Sequence, residues 1–253
     1  MTKAVEAGGR EGRFPWAVAV LAFAAFCVLI ALGTWQVQRL HWKEALLATI
    51  AERVASPPRP LAGIEALYER TGDVEYWPVT VSGHFLHQDE RHFFATHEGR
   101  SGFYVYTPLQ MADGRAVLVN RGFVPYERKD PATRAEGQVT GQVTVTGLAR
   151  NPLTEKPSSL VPDNDPAKNI FYWKDWSEMV KDDGLDPART VPFFIDANAA
   201  PNPGGLPIGG VTIIDLPNNH LQYAVTWYGL ALALAVVVGA YLRRRRGSTG
   251  KPT

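Results

Sequence analysis

Two uninterrupted apolar runs constrain this chain more than any other feature of its sequence. The first is Trp16–Trp35 and the second is Tyr223–Leu242; each has twenty residues and no charged side chain. At about 1.5 Å per helical residue, each run covers the roughly 30 Å hydrocarbon core of a bilayer. We therefore predict two transmembrane helices, over residues 15–36 and 221–242.

The first apolar run has to be compared with targeting sequences, which share its character. A secretory signal has an apolar region of about 7 to 15 residues that ends in a small-residue cleavage site. Here the run is longer and leads into polar, helix-favouring sequence from Gln36 onward. Glu6, Glu11 and the absence of serine before the run argue against a mitochondrial presequence. We predict an uncleaved anchor, with a cleaved signal as the alternative.

Charge is distributed unevenly between the ends and the middle of the chain. Residues 1–15 and 243–253 contain eight Lys and Arg against two Glu, a net charge of +6, and the remainder has 18 against 23, a net charge of −5. The positive-inside rule then predicts cytoplasmic tails at 1–14 and 243–253 and a domain at 37–220 outside the cytoplasm. In a bacterium this is a multi-pass protein of the inner membrane with a periplasmic domain. An acidic middle segment also argues against a nucleic-acid partner.

The middle segment begins as helix and then changes its period. Helical spacing of apolar residues continues over Gln36–Ala55 and returns briefly over Ile64–Arg70. Apolar and polar residues then alternate over several short stretches, and Asp113-Gly114 between two of them is a strong hairpin signal. This pattern predicts an α+β membrane protein in which two transmembrane helices flank a strand-rich, mostly antiparallel domain that curls toward a barrel.

The later part of the middle segment offers weaker signals. Residues 172–181 are predicted as a helix, and Val191–Ile195 and Val211–Ile214 as late strands. The stretch Lys156–Lys168 is rich in Pro, Ser, Asp and Asn and is predicted as a long loop.

Motifs that would indicate catalysis are missing from the sequence. It has no G-x-S-x-G elbow, no phosphate-binding or dinucleotide-binding glycine pattern, and its one cysteine, Cys27, lies in the first span. Four histidines fall between His84 and His97, which raises a metal site as an alternative, but residues three apart on a strand face opposite sides. We predict that the chain is not an enzyme.

His220 is the most informative single residue, because it directly precedes the second span. An asparagine at 218 or 219 can cap the helix, and the positive end of a helix dipole disfavours a protonated imidazole. The neutral ring is the form that binds iron. Tyr223 and Trp227 follow on the same helical face and offer an aromatic surface for a porphyrin. The alternative is an interfacial histidine that only caps or hydrogen-bonds, and His41 is a candidate second ligand.

Four stretches together resemble one family. They are LGTWQVQRL with Trp42-Lys43 at 32–43, VTVSGHF at 79–85, VNRGFVP at 119–125 and NNHLQYAVTWYGLA at 218–231. This set closely resembles the surfeit locus protein 1 family, membrane proteins that assist assembly of cytochrome c oxidase, the terminal haem-copper oxidase. The resemblance covers about residues 16 to 242.

The resemblance implies a function and a set of site residues. The chain would bind haem a transiently and aid its insertion into oxidase subunit I, with His220 as the iron ligand and Tyr223 and Trp227 beside it. Other oxidase assembly factors and membrane lipid are the further expected partners. Arg121 is a candidate for the haem propionates, because a guanidinium forks onto carboxylates; an internal salt bridge is its alternative. The alternative function is a cofactor-free scaffold that stabilises immature subunit I.

Overall fold

The chain divides into two compact units. The computed structural model describes residues 16–214 and 216–248, with the backbone alone for 245–248. A helical unit comprises Met1–Leu47 and Leu216–Thr253, and a sheet unit comprises Ala48–Asp215. The predicted tail 1–14 lies outside the described residues, as does the end of the predicted tail 243–253 from residue 249.

The helical unit contains the two predicted spans. Helix α1 runs over Trp16–Val54 and has 39 residues, and helix α4 runs over His220–Ser248 and has 29. Both are long and apolar enough to cross a membrane, which confirms the two predicted membrane helices. Helix α1 continues without a break through the predicted boundary at residue 36, so the sheet unit begins later than the predicted domain, at Ala48.

Small residues allow α1 and α4 to approach each other. A Cβ atom on Gly33 would lie 2.8 Å from the ring of Tyr228, and the Tyr228 hydroxyl is 3.1 Å from Thr34 Oγ1. Ala224 and Ala231 of α4 are almost fully buried. The sequence of α4 repeats a small residue every four positions, at Ala231, Ala235 and Gly239, and the last two of these are exposed. The contact therefore uses the N-terminal half of α4 and one residue of the repeat.

Seven strands form the sheet unit within the part of the chain that the structure describes. They are β1 (Arg59–Pro60), β2 (Pro78–Phe85), β3 (Arg91–His97), β4 (Arg100–Gln110), β5 (Ala116–Pro125), β6 (Val143–Arg150) and β7 (Thr190–Ala197). Their order in the sheet is β1-β2-β6-β7-β5-β4-β3, with a further pairing of β2 and β4. The pairs β1–β2 and β5–β7 are parallel and the others are antiparallel, which confirms the mostly antiparallel domain.

The pairing of β2 with β4 closes five of these strands into a barrel. His84 lies opposite Gln110 and Phe85 opposite Leu109, which completes the ring β2-β6-β7-β5-β4. Gly83 allows the strands to meet, because a Cβ atom at this position would lie 2.4 Å from the Gln110 carbonyl oxygen. The predicted curl toward a barrel is confirmed.

Alternation along the strands separates the barrel interior from its outer cover. Val117 and Val119 of β5 face the main core, whereas Leu118 between them belongs to a second apolar cluster. All ten residues of β5 are buried, because this strand is covered on both faces. The hairpin predicted at Asp113-Gly114 is confirmed between β4 and β5.

Two short helices cover the barrel. Helix α2 (Leu61–Thr71) buries Leu61, Ile64 and Leu67 in the main core, which confirms the amphipathic helix predicted there. Helix α3 (Trp176–Asp182) buries Met179 and Val180 in the second cluster, and Asp175 caps it by accepting a hydrogen bond from the Glu178 amide at 3.0 Å.

Two predicted elements differ from the structure. The helix predicted over 172–181 begins only at Trp176, because Asn164 Oδ1 accepts hydrogen bonds from the amides of Tyr172 and Trp173 and holds them in a loop. The strand predicted at Val211–Ile214 is wrong: this segment is irregular. Gly210, with φ of 72°, turns the chain just before it, so that the bridge from Phe123 to Ile208 does not extend into a ladder.

Candidate functional site

The candidate site is centred on His220, the first residue of α4. Asn218 Oδ1 accepts a hydrogen bond from the His220 amide at 3.4 Å, and the Asn219 carbonyl accepts one from the Tyr223 amide at 3.2 Å. The first contact is the asparagine cap predicted for this helix, made by the Asn218 side chain, and the second is a backbone hydrogen bond of the first helical turn. The imidazole therefore lies at the helix N-terminus, where amide groups leave positive partial charge.

The His220 ring is held by a glutamine from the other helix. Its Nδ1 atom is 2.7 Å from Gln36 Oε1, and Gln36 is buried. An amide oxygen only accepts hydrogen bonds, so Nδ1 is the donor in this pair. The neutral ring then has its lone pair on Nε2, for which no hydrogen-bond partner is found among residues 16–214 and 216–248. This is the arrangement in which a histidine ligates a metal through Nε2 while its other nitrogen is fixed.

The two aromatic residues predicted beside His220 differ in exposure. Tyr223 has 54% of its surface exposed, whereas Trp227 is only partly exposed and Ala224 is buried. His220, Ala224 and Trp227 share one face of α4 by their spacing, and this face contains the contact with α1. Tyr223 lies beside that face, where its ring is accessible. The site thus combines a fixed imidazole with one accessible and one partly covered aromatic ring.

A comparison with known families identifies the chain. The model described as the SURF1 family matches residues 23–232, a range that includes Gln36, Arg121, His220, Tyr223 and Trp227. The chain belongs to the SURF1 family. This family is known for assembly factors of cytochrome c oxidase.

Relatives in animals and in a choanoflagellate agree with the SURF1 assignment. The rat surfeit locus protein 1 is 40% identical over 233 residues, which cover 85% of this chain and 73% of the rat protein. The human protein is 39% identical over 235 residues, 86% of this chain and 74% of its own length. A SURF1-like protein of Monosiga brevicollis is 36% identical over 255 residues, 96% and 92% of the two chains.

Arg121, the fourth predicted site residue of this SURF1-family chain, lies in the sheet unit. It belongs to β5 and is 2% exposed. Its Nη2 group donates to the Gly137 carbonyl at 2.5 Å and to Asn202 Oδ1 at 3.4 Å, and Nη1 lies 3.4 Å from His87 Nδ1. Burial lowers the pKa of Arg121 to about 10. An internal salt bridge was the alternative role for Arg121. None of the ion pairs among the described residues includes Arg121, so this salt bridge is not formed with them.

His41, the candidate second ligand, is directed away from the Gln36 contact. Five residues along an α-helix correspond to a rotation of about 140°, so His41 and Gln36 lie on different sides of α1. The His41 side chain is 73% exposed, and its Nδ1 atom is 3.6 Å from Glu44 Oε2. The structure therefore does not pair His41 with His220 in the SURF1-type helical unit.

The histidines between residues 84 and 97 have separate surroundings. His87 Nε2 is 2.8 Å from the Val139 carbonyl oxygen, His92 is buried next to Glu90, and the His97 ring packs 5.2 Å from the ring of Phe123. Within the described residues no group of three or more His, Cys, Asp or Glu side chains is arranged to hold a metal ion. In this SURF1-family fold these histidines serve individual contacts.

Gln36 is the site residue that sequence reasoning missed. It lies in the motif LGTWQVQRL and is the first strongly polar residue after the apolar run that ends at Trp35. A buried polar side chain at the edge of a span usually has a specific partner, and this position was the available signal. Its pairing with a residue 184 positions later could not be found without the contact between the helices.

Proposed function

We propose that this chain is an assembly factor for the haem-copper terminal oxidase, that it binds haem a transiently through His220, and that it aids haem insertion into oxidase subunit I. One observation carries the proposal: Gln36 Oε1 accepts a hydrogen bond from His220 Nδ1, and the Nε2 atom of the same ring has no hydrogen-bond partner among the described residues. Membership in the SURF1 family supports the assembly role.

The side chains at His220 fit a haem by their chemistry. Neutral imidazole commonly binds haem iron in proteins. When the nitrogen that does not bind iron donates a hydrogen bond, as His220 Nδ1 does to Gln36, this bond raises the basicity of the ring and fixes its orientation. The accessible ring of Tyr223 and the partly covered ring of Trp227 provide apolar surface for the macrocycle. Haem is here a cargo whose iron coordination changes on delivery, so a single protein ligand is sufficient for the protein's task.

A membrane topology completes the proposal. Arg243–Arg246 follow the apolar part of α4 directly, and the span of α1 is preceded by Lys3, Arg10 and Arg13. We propose that both ends are cytoplasmic and that the sheet unit is periplasmic, in the inner membrane of a bacterium. His220 precedes the apolar run of α4 by about three residues, which corresponds to the headgroup region on the periplasmic side.

The haem content of purified variants tests the iron ligand. The full chain is purified from cells that make haem a, and its visible spectrum is compared with those of His220→Ala and of the matched control His41→Ala. We expect the control to retain the haem of the wild type and His220→Ala to lose it. Equal haem content in His220→Ala and the wild type would exclude His220 as the ligand.

A cofactor-free scaffold is the second candidate function, and an apolar cleft in the helical unit favours it. The N-terminal part of α1 and the C-terminal part of α4 line an apolar cleft of about 570 Å³, to which Phe26, Leu234 and Val238 contribute. Open apolar surface of this kind in a membrane can pack against a helix of a client protein. The scaffold predicts that the chain co-purifies with subunit I and stays colourless.

A further inference from the structure

The sheet unit contains a buried cation, Arg121, that forms no ion pair with another residue of the described ranges. Arg121 is 2% exposed, and its hydrogen bonds to Gly137, Asn202 and His87 use neutral acceptors. Nε–H and one Nη1 hydrogen have no acceptor among the described residues. Burial of a charge is costly unless a charge of opposite sign or a full set of hydrogen bonds compensates it. Arg121 has hydrogen bonds to neutral groups but no neighbouring negative charge that is free to pair with it.

The charged surroundings of Arg121 do not supply the missing anion. The charges that act on it are those of Glu90 and Arg134, and these two already pair with each other, with Arg134 Nη1 3.3 Å from Glu90 Oε2. Burial lowers the pKa of the neighbouring His87, whose Nε2 donates to the Val139 carbonyl, so this ring is neutral near pH 7. The group of Arg121, Arg134 and Glu90 therefore has one excess positive charge.

A pocket of about 280 Å³ opens beside this guanidinium. Arg121 is its only charged lining residue among those described, and none is acidic. Asn198, Asn202 and Thr144 provide polar groups on its wall, while Phe85 and several valines and prolines make the rest apolar. Such a pocket matches a group with one negative charge and a short hydrocarbon stem.

We propose that this pocket binds an alkyl carboxylate, with Arg121 as the residue that pairs with the carboxylate. A guanidinium matches the planar shape of a carboxylate, and one negative charge neutralises the one excess positive charge of the group. The carboxylate belongs to a small free acid or to a propionate arm of a tetrapyrrole. The site is independent of iron ligation by His220 and stands if that ligation fails.

Butyrate is the probe for this site. The full chain in detergent is titrated with sodium butyrate at constant ionic strength, with chloride as the replaced anion, and the melting temperature is followed by tryptophan fluorescence. We expect a saturable rise for the wild type and at least about a tenfold weaker apparent affinity for Arg121→Gln. Arg100→Gln, which changes an exposed arginine of the same unit, is the matched control and should respond like the wild type.

A second variant keeps the test decisive if Arg121→Gln does not fold. Ala200 is exposed and lines the pocket, so Ala200→Trp fills the space and leaves the arginine in place. We expect this variant to melt near the wild-type temperature and to lose the response to butyrate. A wild type without a saturable response, or a response preserved in Ala200→Trp, would overturn the proposal.

Competition identifies the source of the carboxylate. If deuteroporphyrin weakens the apparent affinity for butyrate and its dimethyl ester does not, the ligand is a tetrapyrrole propionate. If neither competes while butyrate still binds, the ligand is a small free acid. His220→Ala should leave the butyrate response unchanged, which separates failure of this site from failure of haem ligation.

Discussion

One hydrogen bond between two helices fixes the orientation of the proposed iron ligand. Gln36 is distant from His220 in the sequence, yet its Oε1 atom lies 2.7 Å from His220 Nδ1. The bond determines which ring nitrogen has the proton and therefore which one can bind iron. A histidine without this partner would be free to rotate and to exchange tautomers. The glutamine thus acts on iron through the imidazole and has no direct contact with it.

We predict that Gln36→Leu weakens haem binding while the fold is retained. Partners that hydrogen-bond to a metal-ligating histidine typically contribute about 10- to 100-fold in metal affinity. Titration of haem into the purified apo-protein measures the change in Kd. Gln38→Leu is the control, because Gln38 is exposed on the same helix. Equal affinities of Gln36→Leu and the wild type would show that the hydrogen bond has no part in haem binding.

The residue scale also shows where sequence reasoning stops. His220 could be selected because its position before an apolar helix, its asparagine cap and its aromatic neighbours are all local features. Gln36 and the surroundings of Arg121 depend on contacts between distant segments, which a single sequence does not reveal. The salt bridge expected for Arg121 failed for the same reason: the nearby carboxylate, Glu90, is already paired with Arg134.

At the scale of elements, the barrel depends on the close approach of β2 and β4. A methyl group on Gly83 would collide with the Gln110 carbonyl at the point where the ring closes. Local alternation and a turn signal predicted the strands and the β4–β5 hairpin, because both are encoded within about ten residues. The order of the strands and the parallel β5–β7 pair are long-range features that the alternation does not specify. The irregular segment 211–214 shows that strand-forming residues need an available neighbour.

Gly83→Ala is predicted to destabilise the sheet unit by about 1 to 3 kcal/mol, because backbone atoms have to move to accept the methyl group. Gly63→Ala is the matched control. Gly63 lies on the exposed side of α2, where the nearest atom to a new Cβ is 4.0 Å away. This substitution should be neutral or stabilising by about 0.5 to 1 kcal/mol. Urea unfolding of both variants compares the two changes, and equal effects would contradict a constraint at β2–β4.

A buried charge network connects β3 to the segment that follows β5. Glu90 Oε1 pairs with Arg134 Nη2 and lies 3.1 Å from His92 Nε2, and all three side chains are buried. Burial alone would raise the pKa of Glu90, but the hydrogen bonds from His92 and Arg134 outweigh it and hold the pKa below the usual 4.5. The ionised form is therefore the one that the fold stabilises. The contribution of ionised Glu90 to the free energy of unfolding is present above pH 4.5 and is lost as the pH falls through the lower pKa of the folded state.

We predict that Glu90→Gln lowers the free energy of unfolding at pH 7 by about 3 to 5 kcal/mol, because Arg134 loses its buried counter-ion. The same variant should show a smaller loss of stability between pH 7 and about pH 2 than the wild type, because the contribution of Glu90 is lost only below pH 4.5. Melting temperatures across this range measure both effects. A pH dependence identical to that of the wild type would mean that Glu90 is not the titrating group.

At the scale of the whole molecule, the chain consists of a helical unit and a sheet unit connected by α1 and by the segment before α4. The sequence predicted both units, since apolar runs of twenty residues and stretches of alternating residues are each unambiguous patterns. It placed the end of the first membrane span at residue 36 and predicted that helical spacing continues to Ala55, in agreement with α1, which ends at Val54. A helix has no reason to end at the membrane edge when helical periodicity continues beyond it.

Single cysteines test the proposed topology. In a Cys27→Ser background, Ser158→Cys places a thiol on an exposed loop of the sheet unit, and Ser248→Cys places one after the arginine run. We expect a membrane-impermeant maleimide to label position 158 in intact bacterial spheroplasts and to label position 248 only after lysis. The reverse pattern would place the sheet unit in the cytoplasm and remove the proposed periplasmic site.

Rescue by free imidazole shows whether His220 Nε2 binds the haem iron. His220→Gly removes the side chain and leaves space beside Gln36, in which imidazole can take the place of the ring. The full-length variant, supplied with haem a, is followed by visible spectroscopy as imidazole is added. We predict a spectrum of free haem without imidazole and a saturable return to the wild-type spectrum with it. A wild-type spectrum in His220→Gly before any imidazole is added would contradict the account.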